Sequence, residues 1–194
     1  MSPQVQSADS LRIECDMDTS KMGVLVSLGG IIMLFVTFLA TFSAMVAKEL
    51  ATINLNGDTI IVAGVTTLLL ILSSLMFHSS YNRWNVRNGT TNFNYLYASA
   101  FFGIVFLFGQ IKLWLMLVGI GFTSNGNVLA GMVYLIGAVH AVHLIVGLSI
   151  LCWLGYQLKN NRQVKSVRYQ MIGWFWHFLT VLWCIIFVFF IIIL

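Results

Sequence analysis

No aspartate or glutamate stands inside any long apolar stretch of this chain. All six acids, Asp9, Glu14, Asp16, Asp18, Glu49 and Asp58, lie in the first 21 residues or in a short segment between two apolar runs. Proton relays string Asp, Glu and His through a membrane, so this chain alone is a poor proton conduit. No carboxylate pair, nucleophile–base constellation or phosphate-cradling glycine loop is present, which removes the ordinary hydrolase and nucleotide-binding classes. Proline occurs once. The three cysteines make no disulfide framework, because Cys152 and Cys184 sit in apolar runs and Cys15 in a polar tail; buried thiols act as small apolar side chains. Charge itself is scarce, at 8% of residues, against roughly a quarter in soluble domains. The first 21 residues lack the basic-then-apolar order of a cleaved signal.

What remains is apolar. Hydrophobic residues make up 59% of the 194, with fifteen phenylalanines and six tryptophans. Five runs, at about 22–47, 59–77, 95–121, 128–157 and 169–194, are each long enough to cross roughly 30 Å of hydrocarbon as helix. They show no period-two alternation, so helices rather than a barrel satisfy the backbone. The connecting segments are short, which argues for one bundle. The predicted fold is all-α: a polytopic membrane protein with a polar cytoplasmic tail over 1–21 and five transmembrane helices in one bundle over 22–194.

The formal charge of +4 is explained by the loops and calls for no nucleic acid. Five spans put the tail, the second loop (about 78–94) and the fourth loop (about 158–168) on one side. That side holds eight Lys/Arg, the other only Lys48, and Lys112 lies within the third run. The positive-inside rule then predicts a cytoplasmic N-terminus and an external C-terminus. Lys112, near the end of its span, snorkels outward on this reading.

Three of the four histidines cluster in two apolar runs. His140 and His143, three residues apart, share one helix face. At 1.5 Å per residue they lie about 18 and 22 Å into the fourth span, and His177 lies roughly 12 Å from the other end of the fifth, so His143 and His177 approach one level. Neutral imidazoles could ligate haem or metal. No carboxylate or thiol stands at ligand spacing, and hydrogen bonding between helices or to a neighbouring subunit is the commoner use. Gly29, Gly30, Ala40, Ser43, Ala44, Ser73, Ser74, Gly137, Ala141 and Gly147 permit close helix approach.

These segments resemble subunit III of haem–copper terminal oxidases. The fourth run carries Gly137-x-x-His140-x-x-His143-x-x-x-Gly147, and the last carries Trp176-His177-Phe178 with Trp183 beyond. The first run, with Gly23, Phe35 and Phe42, is similar to the family's third helix, the second, with Thr67, Ser73 and Ser74, to its fourth, and the third, with Gly109 and Gln110, to its fifth. The resemblance covers about 22–190 and implies a five-helix form without two N-terminal helices of longer members. It implies a non-catalytic subunit of a cytochrome c or quinol oxidase, in a bacterial-type inner (cell) membrane. Such a subunit would pack against subunit I, with subunit II as a further partner, bind lipid in a cleft and support durability in turnover. It implies no cofactor in this chain, with haem and copper in the partner subunits. The packing, interface or lipid-cleft residues so implied are Gln110, Gly137, His140, His143, Gly147, Trp176, His177, Phe178 and Trp183.

The chain departs from the family pattern where acids are common: Ile31, Leu113 and Thr180 stand in their places. That weakens any headgroup or proton role tied to those carboxylates and leaves packing intact. The alternatives are a haem b-binding anchor of a respiratory complex and a nitric oxide reductase accessory subunit of the same fold. A small transporter would need a discontinuous helix or an intramembrane charge pair, and the sequence shows neither.

Overall fold

The computed structural model describes residues 3–49, 57–86, 93–122, 128–160 and 166–193. They form five helices: α1 (Pro3–Glu49), α2 (Gly57–Val86), α3 (Phe93–Gly119), α4 (Val128–Lys159) and α5 (Ser166–Ile193). Each contains a stretch long and apolar enough to cross a membrane, namely Lys21–Lys48, Gly57–Trp84, Asn94–Gly119, Val128–Lys159 and Ser166–Ile192. The chain is therefore an all-α, multi-pass membrane protein.

The backbone of α1 is helical from Pro3 through the apolar span that begins at Lys21. One predicted boundary moves. The second loop, expected from residue 78, starts only after Val86. No Gly or Pro interrupts 78–86, and Trp84 is buried, stacked on Tyr169 of α5 with ring centres 5.3 Å apart. Aromatic burial thus carries α2 two turns beyond its last apolar run. Parts of the predicted loops, at 50–56, 87–92, 123–127 and 161–165, lie outside the described residues.

The C-terminus of α3 is closed by a Schellman motif. Phe122 N–H donates to Leu117 O at 3.1 Å, and Gly121 N–H to Val118 O at 3.0 Å. Gly121 has φ of 80°, a conformation that costs glycine little. Phe122 is buried, and its carbonyl accepts the Tyr134 hydroxyl at 2.7 Å, which docks the turn onto α4.

Helices α2, α3, α4 and α5 form a closed ring in which each touches its two neighbours, and α1 packs outside it against α4 and α5. Among the described residues, the consecutive helices α1 and α2 do not touch. Trp176, fully buried, fills the ring's middle. It fits because two glycines face it: a Cβ on Gly103 of α3 would lie 3.0 Å from its ring, and one on Gly147 of α4 would lie 3.1 Å from it. Small residues let helix backbones close around one large side chain, which is how membrane helices gain packing energy.

Candidate functional site

The motif residues of α5 build a hydrogen-bonded ladder to α2. Tyr169, Trp176 and Trp183 recur every seven residues, two helical turns, so they line one face. Helix α2 runs antiparallel and answers with Ser80, Ser73 and Thr67. Tyr169 Oη and Ser80 Oγ are 2.9 Å apart, Trp176 Nε1–H donates to Ser73 Oγ at 3.2 Å, and Trp183 Nε1–H donates to Thr67 Oγ1 at 3.1 Å. Ser73 passes the connection to α3 by donating to Ser99 O at 2.7 Å. Beside the ladder, His177 Nδ1 pairs with Ser74 Oγ. The rungs satisfy polar groups that would otherwise be stranded in hydrocarbon.

His140 is placed differently. It is fully buried, and its ring lies against Trp183 at 4.9 Å between centres, with Phe35 and Phe106 each at 6.3 Å. Neither ring nitrogen has a hydrogen-bond partner in the fold. His143, half-buried, donates through Nδ1 to Val139 O at 2.7 Å within its own helix and meets Phe35 at 5.9 Å. The structure does not bring the three histidines together. His140 and His143 turn toward α1 through Phe35, whereas His177 turns to α2. Of the hydrogen bonds expected between helices or to a neighbouring subunit, His177 makes one between helices, that of His143 stays within its own helix, and His140 makes none in the fold. Among the described residues, no three His, Cys, Asp or Glu side chains gather as a metal site.

At the end of the ring where α2 and α4 begin, a cavity of about 80 Å³ is lined by Gln110, Leu113, Trp114, Gly137 and Trp183, among others. Gln110 is buried and its Oε1 has no partner. A Cβ on Gly137 would sit 3.2 Å from Trp114 Nε1, so that glycine makes room for the indole. Leu113, at one of the missing acid positions, supplies apolar lining here. Thr180, at another, donates to Trp176 O at 3.1 Å and borders an apolar groove between α2 and α5. Ile31 and Phe178 are half-buried against the core. Lys112 is exposed on α3.

Tyr169, Ser80 and Ser99 were not among the predicted site residues. The seven-residue recurrence of Tyr169, Trp176 and Trp183 was visible in the sequence; its partners depend on the register of α2 against α5, which was not.

No protein-family model matches the chain. Curated relatives do. A cytochrome bo(3) ubiquinol oxidase subunit 3 of Buchnera aphidicola subsp. Acyrthosiphon pisum is 28% identical over 125 residues, 63% of this chain and 61% of the relative. A cytochrome c oxidase subunit 3 of Thermostichus vulcanus is 28% identical over 129 residues, 63% of this chain and 61% of the relative. A cytochrome c oxidase subunit 3 of Alkalihalophilus pseudofirmus is 24% identical over 177 residues, 86% of this chain and 82% of the relative. The match thus spans about three fifths of the length of the first two. Quinol and cytochrome c oxidase relatives alike bear the same subunit name, so this chain is similar to oxidase subunit 3 proteins of both kinds.

Proposed function

We propose that this chain serves as a non-catalytic subunit III of an aerobic terminal oxidase, steadying the catalytic subunit and holding lipid beside it. The supporting observation is how the motif residues are spent. Gly137, His140, Gly147, Trp176 and Trp183 are buried against one another or against α2 and α3, so the resemblance is carried by packing. The chain's outward parts fit a partner. Only 6% of the apolar window of α1 is buried within the chain, against 39% for α4, which leaves α1 to meet subunit I, subunit II or lipid. The α2–α5 groove, with Ser74 and Thr180 on its wall, suits an acyl chain. Haem and copper belong on this reading to the partner subunits, and the loop charges set the N-terminus in the cytoplasm.

No observation favours the haem b anchor. His140 is closed in by Phe35, Phe106 and Trp183, and a haem edge would have to displace those rings. The test is affinity purification of the tagged full-length chain in mild detergent. Co-purification of the haem- and copper-bearing oxidase subunits is the expected result; recovery of this polypeptide alone with its own haem spectrum would overturn it.

A further inference from the structure

We propose that His78 of α2 and His177 of α5 form a two-imidazole site for a divalent first-row transition metal such as Cu²⁺ or Zn²⁺. The sequence placed His78 in a loop and set no ligand beside His177. The extension of α2 to Val86 changes that: the two rings lie on neighbouring helices with centres 5.9 Å apart and planes 61° from parallel. Two imidazoles bound to one ion at about 2.0–2.1 Å per nitrogen have centres roughly 5–6 Å apart, so the pair already stands at ligand separation. Both rings line one cavity of about 260 Å³, with Tyr81, Tyr169, Gln170 and Trp174 among its other walls. Gly173 and Phe77 also line it, and there α5 comes close to α2: a Cβ on Gly173 would lie 2.8 Å from the Phe77 ring.

The surroundings orient the donor. His177 Nδ1 is paired with Ser74 Oγ. With that nitrogen protonated and donating to the hydroxyl, Nε2 carries the lone pair, which is the arrangement by which outer contacts fix a metal-binding imidazole. His78 is exposed, and a turn about its side-chain torsions would bring a ring nitrogen to the same point. The lining residues include no carboxylate and no thiolate, so the two imidazoles are the strongest donors present and favour imidazole-preferring ions over Mg²⁺ or Ca²⁺. Water and the Gln170 amide oxygen would complete the shell. Between the candidate ions, Cu²⁺ binds nitrogen donors more tightly than Zn²⁺. A bound ion would cross-link α2 to α5 beside the Tyr169–Ser80 rung. His140 and His143 face α1 and take no part.

The test is titration of the full-length chain in detergent with Cu²⁺, read by electron paramagnetic resonance and by melting temperature. The expected result is a type-2 signal with nitrogen hyperfine structure from two imidazoles, and a melting temperature raised by the ion, which binds the paired imidazoles of the folded state more tightly than the separate histidines of the unfolded chain. His78→Ala should weaken Cu²⁺ binding by at least about tenfold, the scale on which a damaged ligand shell is felt, and should abolish the melting shift. His78 is exposed, so this variant leaves the core closed; circular dichroism confirms the fold. His177→Phe should behave alike, and His143→Ala should change nothing. Unchanged Cu²⁺ affinity in His78→Ala, or an equal loss in His143→Ala, overturns the proposal.

Discussion

The indole of Trp183 covers the imidazole of His140, with ring centres 4.9 Å apart and planes 31° from parallel. The same indole donates its N–H to Thr67 on α2. One side chain of α5 therefore joins α4 to α2, by ring contact on one side and by a hydrogen bond on the other. The contact shields His140 completely while offering its nitrogens nothing, and that asymmetry makes the pair informative.

A buried polar group without a partner costs about 1–3 kcal/mol. His140→Leu, close in volume and apolar, should therefore leave the melting temperature unchanged or raise it by the equivalent of about 1 kcal/mol. Measurement on the purified chain decides the matter. A loss above about 2 kcal/mol would mean that the ring nitrogens are hydrogen-bonded within the isolated chain after all, directly or through water.

The Trp183–Thr67 rung can be isolated by a double-mutant cycle with Trp183→Phe and Thr67→Val. Interhelical hydrogen bonds in membranes average about 0.6 kcal/mol and reach about 1.7, so the coupling energy should fall in that range. A coupling of zero would leave the rung as geometry without energy. The control pair Trp183→Phe and Ser80→Ala, two rungs apart, should be additive.

Glycine positions separate packing inside the chain from packing onto a partner. A Cβ on Gly147 meets Trp176 at 3.1 Å and Leu179 at 3.2 Å, whereas one on Gly30 meets nothing within 4 Å. Gly147→Leu should destabilise the isolated chain by about 1–3 kcal/mol through overpacking. Gly30→Leu should leave the isolated chain unchanged and lower its recovery with the oxidase partners, because α1 is the helix left outside the ring. Equal effects of both variants on the isolated chain would contradict the ring-plus-one arrangement.

The number and order of the spans were legible because lipid-facing helices announce themselves by length and apolarity alone, and each of the five predicted runs falls on its own helix, though the third, expected to 121, passes the end of α3 at Gly119. The ends were less legible. Arg83 and Trp84 look like loop residues by composition, yet Trp84 is held by Tyr169 and Arg83 lies over the Tyr95 ring at 4.4 Å, contacts made across the fold. Rise per residue puts His143 and His177 near one level but says nothing of rotation about the helix axes. Rotation sends His143 toward Phe35 and His177 toward Ser74. His78 falls at the start of the predicted second loop, and only the longer α2 brings it to His177. Gln110 stands out by resemblance alone, Gly137 and Gly147 also as small residues; that these glycines face Trp114 and Trp176 required the structure.

Orientation rests on loop charge and can be read directly. With Cys15, Cys152 and Cys184 replaced by serine or alanine, Lys165→Cys in the basic loop should be labelled by a membrane-impermeant thiol reagent only after the cytoplasmic face is opened. Asn54→Cys, in the segment between α1 and α2, should be labelled in intact cells. The reverse pattern would invert the topology.

The last prediction concerns turnover. No carboxylate lies within the apolar runs, and Thr180 and Leu113, at two missing acid positions, are committed to a backbone hydrogen bond and to cavity lining. A subunit of this construction should contribute packing rather than charge transfer. Its interfaces would be made of many contacts of modest energy, each interhelical hydrogen bond contributing on average about 0.6 kcal/mol. Removing it should then leave the oxidase's haem and copper content and its initial rate near normal. The complex should melt lower, because a partner that binds only the folded state stabilises by mass action. Activity should decay faster under sustained turnover, as the family resemblance implies. Purifying the oxidase with and without this chain, and comparing metal content, first-seconds rate and decay constant, separates the possibilities. If haem or copper fell in proportion to the missing subunit, a cofactor would have to be held here, and the packing role would give way to a haem-anchoring one.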